Sequence, residues 1–160
     1  MAVTDLTKAL DDAGAAYEVL HHEHTERASA EAIALGVSPD EVAKTLIVAT
    51  PTGHVRALVP ASRRVDMRKL ADALGEGRKQ LHLSTEEEMR RDYPEFELGA
   101  VPPSGGTTGD AVIVDSALAR LEAVVFEAGS HDDSLRIKTA DLLRLTGALV
   151  NDIARDDEEA

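Results

Sequence analysis

Thr45-Leu46-Ile47-Val48-Ala49, then Thr50-Pro51-Thr52-Gly53-His54, then Val55-Arg56-Ala57-Leu58-Val59, is the stretch whose reading decides the fold. Two short runs rich in β-branched residues flank a segment carrying proline and glycine, the pattern of two strands folded back as a hairpin. The surroundings are helical in period. Upstream, Thr4 caps a helix with Leu6, Ala9, Leu10 and Ala13 on one face and Gly14 at its end, and Tyr17 to His21 reads as a strand. Ser29 opens an Ala-rich helix that stops at Gly36, and Ser38-Pro39-Asp40-Glu41 reads as a capping box with proline at the first helical position. Downstream, Asp66 caps a helix presenting Met67, Leu70, Ala71 and Leu74, closed by Gly75. Gln80 to Leu83 is a short strand, and Ser84-Thr85-Glu86-Glu87 opens a helix that ends before Pro94. Val112 to Asp115, Ala123 to Phe126 and Leu135 to Ile137 are further strands, and Thr139 caps a last helix ending at Gly147. With a hairpin and no strict βαβ alternation, these elements predict a single compact α+β domain around a mixed β-sheet packed with helices.

Composition narrows the chemistry. In 160 residues, 43% are apolar but only 2% aromatic, so the core is built from Leu, Val, Ile and Ala. The absence of cysteine excludes disulfides, a thiol nucleophile and thiolate zinc sites. The N-terminus has no signal-peptide pattern and no apolar run is long enough to span a bilayer, which fits a cytoplasmic protein without a membrane partner. A formal net charge of −13 argues against DNA or any long duplex as partner, since counterion release needs a basic surface. Contact with RNA would be small and local, or assisted by another protein. Residues 1–153 form the domain, and 154–160 read as an acidic tail, because Asp156-Asp157-Glu158-Glu159 is a like-charge run in a loosely ordered stretch from Asp152.

Lys44 stands where a short helix meets the apolar run from Thr45. It either snorkels into water from the strand's mouth or meets an anion in a polar cleft. Gly99-Ala100-Val101-Pro102-Pro103-Ser104-Gly105-Gly106 is neither helix nor strand. It is either a plain connection or a loop whose N–H groups approach a ligand closely, and no Gly-Lys-Ser or Gly-Lys-Thr follows to make it a P-loop. Ala128-Gly129-Ser130-His131-Asp132-Asp133 brings Ser, His and Asp together, but without a Gly-x-Ser-x-Gly elbow it reads as a turn with a ligand-facing edge. His21, His22 and His24 lack a second ligand cluster, so no metal is expected. Arg63-Arg64, Arg68-Lys69 and Arg78-Lys79 are either solvated faces or the local patch that an RNA end needs.

Several stretches together resemble the YbaK/prolyl-tRNA synthetase-associated editing domains. They are Val42-Ala43-Lys44-Thr45-Leu46-Ile47-Val48, Ala57-Leu58-Val59-Pro60, Val65-Asp66-Met67-Arg68-Lys69-Leu70-Ala71, Leu98-Gly99-Ala100-Val101-Pro102-Pro103, Ile113-Val114-Asp115, Ala128-Gly129, and Thr139 to Thr146. The pieces follow the family's order over residues 17 to 153. The resemblance implies a free-standing deacylase that hydrolyses the ester of a small amino acid on the 3′ end of a mischarged tRNA, without cofactor or metal. An aminoacyl-tRNA synthetase or an elongation factor is an implied partner. A non-catalytic aminoacyl- or nucleotide-binding module of the same fold is the alternative. The family's lysine falls on Lys44, and its glycine loop on Gly99 to Pro103, which places Lys44 and Gly99 at the reaction. Thr45, Ala100, Val101, Pro102, Pro103, Asp115, Gly129, Ser130 and His131 then become substrate-binding positions. Two departures stand out: Val101-Pro102-Pro103 where many relatives have Ser-Pro, and Gly129-Ser130-His131-Asp132 where they often have Gly-Arg-Arg-Gly.

Overall fold

The computed structural model describes residues 2–25, 27–105 and 109–158, with the side chains of 2–5, 157 and 158 left aside. In chain order the elements are α1 (Ala2–Asp12), β1 (Tyr17–His21), α2 (Ala28–Leu35), a single 3-10 turn at Pro39–Glu41, β2 (Ala43–Thr50), β3 (Gly53–Pro60), β4 (Arg63–Val65) and α3 (Met67–Leu74). A second 3-10 turn at Arg78–Gln80 leads to β5 (His82–Leu83) and α4 (Glu86–Asp92). Then follow β6 (Ala111–Asp115), α5 (Ser116–Ala119), β7 (Ala123–Glu127), β8 (Asp133–Lys138), α6 (Thr139–Thr146), β9 (Leu149–Asn151) and β10 (Ala154–Glu158).

The expected hairpin organises the larger sheet. β2 and β3 pair antiparallel from Ala43↔Pro60 to Thr50↔Gly53, leaving Pro51-Thr52 as a two-residue loop. Around it a five-stranded mixed sheet runs in the order β5-β2-β3-β6-β9, with β6 and β9 parallel to their neighbours. A separate antiparallel sheet, β1-β8-β7, touches it through a bridge between Val42 and Val125. One core, from Leu6 and Leu10 of α1 through Leu58 and Val114 to Phe126, Leu135 and Leu142, lies where the two sheets meet. A second, around Val59, Leu70, Ile113 and Ile153, packs α3 on the opposite side. The architecture is the predicted α+β domain with a mixed sheet. Among the described residues, no helix is long and apolar enough to cross a membrane.

Several boundaries differ from expectation. α1 begins at Ala2, so Thr4 lies inside its first turn and does not cap it. Ser38 accepts a bond from the Asp40 N–H at 3.2 Å, but only one 3-10 turn follows. The capping box before α4 is Thr85 with Glu88, one residue later than read, because the Ser84 N–H donates to Ile47 O at 2.9 Å and so prolongs the β5 edge. α6 starts at Thr139 without a side-chain cap; its N–H donates to Glu122 O at 2.9 Å, and its buried hydroxyl has no partner. The C-terminal stretch read as a loose tail is β10, paired antiparallel with β4. Asp156 of that run is paired from α3: Lys69 Nζ reaches Asp156 at 2.9 Å, Asp152 at 3.2 Å and Ala154 O at 2.9 Å. Arg63 holds the Arg155 and Asp156 carbonyls. Lys69 and Arg63 therefore tie the last strand to α3 and β4.

Candidate active site

A cleft of about 270 Å³ opens beside the start of β2. Ala43, Lys44, Thr45, Leu46 and Ile47 form one wall, and Gly99 and Val101 of the irregular loop form another. Leu83, Ser84, Met89, Ala28 and Glu127 complete it. Lys44 is the second residue of β2, paired with Val59, rather than a hinge residue before the strand. It is half-buried and lines the cleft. Thr45, Gly99 and Val101 join it there, so four of the residues singled out in the sequence converge from two distant segments.

The loop has its shape from local and distant contacts. The Ala100 N–H donates to Glu97 O at 3.0 Å, closing a turn that places Gly99 at φ +84°, a conformation that favours glycine. Ala100 is thus occupied within the loop, whereas the N–H groups of Gly99 and Val101 take no partner among the described residues. Val101 packs with Ile47 and Tyr93 beneath the cleft. Pro102 and Pro103 are buried behind it and do not line it.

What holds the loop from behind is a residue the sequence reading passed over. Arg56, in β3, is 2% exposed. Its guanidinium donates to Pro102 O at 2.7 Å, to Gly105 O at 2.6 Å and to Asp110 at 2.9 Å. Tyr93 adds its hydroxyl to Asp110 at 2.6 Å and lays its ring 5.4 Å from the guanidinium carbon. The signal was present in Val55-Arg56-Ala57-Leu58-Val59, where a charge inside an apolar strand needs partners.

The turn between β7 and β8 supports the loop without reaching the cleft. Gly129 O accepts from the Glu97 N–H at 2.9 Å, and the Ser130 hydroxyl donates to Asp133 at 3.2 Å. His131 is 5% exposed. Its Nε2 meets Leu98 O at 2.7 Å, and a Cβ placed on Gly99 would lie 3.7 Å from its ring. Gly129, Ser130 and His131 are therefore not among the lining residues. Asp115 is further removed: it caps α5 through Ala117 and accepts the Ile153 and Ala154 N–H groups at 2.9 and 3.1 Å. Its expected place on the pocket wall is corrected to a latch for the chain's last strand.

Glu127, also passed over, is the one ionisable lining residue besides Lys44 among the described residues. Burial, with Glu31 and Glu97 nearby, pushes its carboxyl up to about 9. Its Oε2 lies 2.7 Å from His131 Nδ1, out of line for a hydrogen bond. The histidines of the β1 edge are spent on local contacts: His21 on Asp133, His22 on Glu23 O and Ser134, His24 on Asp132. Among the described residues, no three His, Asp or Glu side chains group as a metal ion requires.

Such a cleft offers a cation, unpartnered backbone donors and a proton-bearing acid, but no activated nucleophile. That suits an already activated ester, for which placement and oxyanion stabilisation can suffice. The chain matches the family described as the aminoacyl-tRNA editing domain over residues 22–145. It is 28% identical over 145 residues to the multifunctional Ser/Thr-tRNA deacylase ProXp-y of Escherichia coli strain K12, covering 88% of this chain and 85% of that one. A crystal structure described as a candidate trans-editing enzyme for prolyl tRNA synthetase superposes with a TM-score of 0.85 at 28% identity, covering 96% of this chain and 97% of the other. The hypothetical protein APE2540 shares the fold, with a TM-score of 0.85 at 24% identity over 94% of this chain and 99% of its own. The chain belongs to the aminoacyl-tRNA editing domain family and is an editing hydrolase of mischarged tRNA.

Proposed function

We propose that this hydrolase removes a small amino acid, such as serine, threonine or alanine, from a tRNA 3′ end, and that the cleft between β2 and the Gly99 loop is where it does so. One observation carries this: Lys44 and Thr45 share a small cleft with Gly99 and Val101, although the pairs come from distant segments. In this reading the Lys44 ammonium holds the terminal phosphate or ribose, while the Gly99 and Val101 N–H groups face the ester carbonyl. Water adds to that carbonyl; the ribose oxygen leaves and takes up a proton, giving the free amino acid and an intact 3′ end. Binding contributes orientation, and donors on the developing oxyanion contribute about 3 kcal/mol each.

Cleft size supports a small side chain. About 270 Å³ lies just below the usual range for small-molecule sites, which favours a small side chain beside the ribose. The Ser/Thr specificity named for the Escherichia coli relative agrees with this. A chain of net charge −13 attracts tRNA poorly, and a synthetase or elongation factor in the cytoplasm would supply what long-range attraction does not. Hydrolysis of a panel of mischarged tRNAs is the test. Turnover of seryl-, threonyl- or alanyl-tRNA with aromatic esters left intact is expected. Binding without turnover of any of them would make the chain a recognition module instead.

A further inference from the structure

We propose that Glu127 is the subsite for the free α-amino group of the aminoacyl ester, so that the protein accepts aminoacyl-tRNA and rejects N-acylated forms. The inference rests on the cleft being the editing site and adds what that reading leaves open.

Glu127 ends β7 with its side chain one-tenth exposed, in the wall that also carries Ala28, Ala43 and Gly99. Its Oε2 is enclosed and makes no aligned hydrogen bond. His131 does not satisfy it: a carbonyl only accepts, so the 2.7 Å contact to Leu98 O requires the proton on Nε2, and Nδ1 sits out of line. Two more carboxyls lie near enough to act on it electrostatically. Glu31 of α2 is fully buried and takes the Ser134 hydroxyl, and Glu97 accepts the His131 N–H at 2.7 Å. Like charges beside Glu127 raise its affinity for a proton, and His24 opposes them. An enclosed acid that holds its proton beside two further carboxyls favours a base that can take that proton, or a cation that replaces it.

The aminoacyl ester carries such a group one carbon from its carbonyl. A free α-amine titrates near pH 8, so a sizeable share is neutral in the physiological range. A neutral amine takes the Glu127 proton: the O–H bond breaks, an N–H bond forms, and an ammonium–carboxylate pair results with no proton exchanged with solvent. An arriving ammonium gives the same pair and releases the Glu127 proton to water. Ala28 and Ala43 leave room for the amine, and anchoring it holds the neighbouring carbonyl beside Gly99. An N-acylated ester has no basic nitrogen and brings added bulk against a buried acid.

The test compares seryl-tRNA with N-acetyl-seryl-tRNA, using the full chain and Glu127→Gln, with circular dichroism as the fold control. The wild type should favour the free amine by about a hundredfold or more in kcat/KM, as sites built around a polar partner do. Glu127→Gln should lower turnover of the free ester and bring the two substrates within a few-fold of each other, while Glu127→Asp keeps the preference. Equal hydrolysis of both substrates by the wild type would overturn the proposal even if no variant folded. So would a preference undiminished in Glu127→Gln. Failure of the wild type on every free aminoacyl ester would sink the editing-site reading itself, a distinct result.

Discussion

Two clusters of buried ionisable groups flank the Gly99 loop, and the protein treats them in opposite ways. Around Arg56, charge is matched: the guanidinium meets Asp110 and two loop carbonyls, and Tyr93 completes the carboxylate's shell. Around Glu127, a buried acid is left short of partners: Glu31 and Glu97 lie near enough to raise it, and the histidine contact is misaligned. The first region lies behind the loop and the second reaches the cleft through Glu127. Matched buried charge fixes geometry, whereas under-compensated charge at a cavity wall stays available for a ligand. The loop that carries Gly99 runs between the two, shaped by one and facing the other.

The largest effect should come from breaking the matched region. Arg56→Met leaves Asp110 buried without its cation and frees the Pro102 and Gly105 carbonyls, so stability should fall by about 3–5 kcal/mol. Urea denaturation measures it. A loss below about 1 kcal/mol would mean that the knot is incidental.

A smaller effect concerns pH. Glu127 is raised from 4.5 to about 9 on folding. Between those values the folded chain keeps a proton that the unfolded chain has lost, so this group's contribution is full at low pH and is lost as pH rises towards 9. Glu127→Gln should therefore flatten the decline in urea midpoint between about pH 5.5 and about pH 8.5. An unchanged slope would show that the carboxyl is not held protonated.

Smallest of all should be Ser130→Ala, because Ser130 bonds Asp133 in a turn outside the cleft. Turnover should stay within a few-fold of wild type and survive EDTA dialysis. A loss of about a thousandfold would make Ser130 a nucleophile.

The hairpin, the α+β class and the meeting of Lys44 with Gly99 were all legible in the sequence, because each rests on local pattern or on a family's spacing. What escaped depends on distant contacts. Ser84-Thr85-Glu86-Glu87-Glu88 holds two overlapping capping boxes, and only the bond from Ser84 to β2 chooses between them. The C-terminal run looks self-repelling until Lys69 of α3 lies beside it. Asp115 fits a family position, yet its oxygens face backbone N–H groups of the last strand. Arg56 was visible as a charge within an apolar strand, but its partners lie about fifty residues away. Glu127 gave no periodic signal, since it stands at a strand end where an exposed acid is ordinary.

The most direct test of the cleft as the editing site is Lys44→Ala on a confirmed mischarged substrate, with kcat/KM, circular dichroism and melting temperature measured together. A charge-assisted contact to the tRNA end should contribute about 1.5–3 kcal/mol, so kcat/KM should fall by about ten- to a hundredfold or more while the fold is unchanged. Lys44→Arg should recover only part, since a planar guanidinium does not replace a compact ammonium. Full turnover in Lys44→Ala would place the chemistry elsewhere in the molecule.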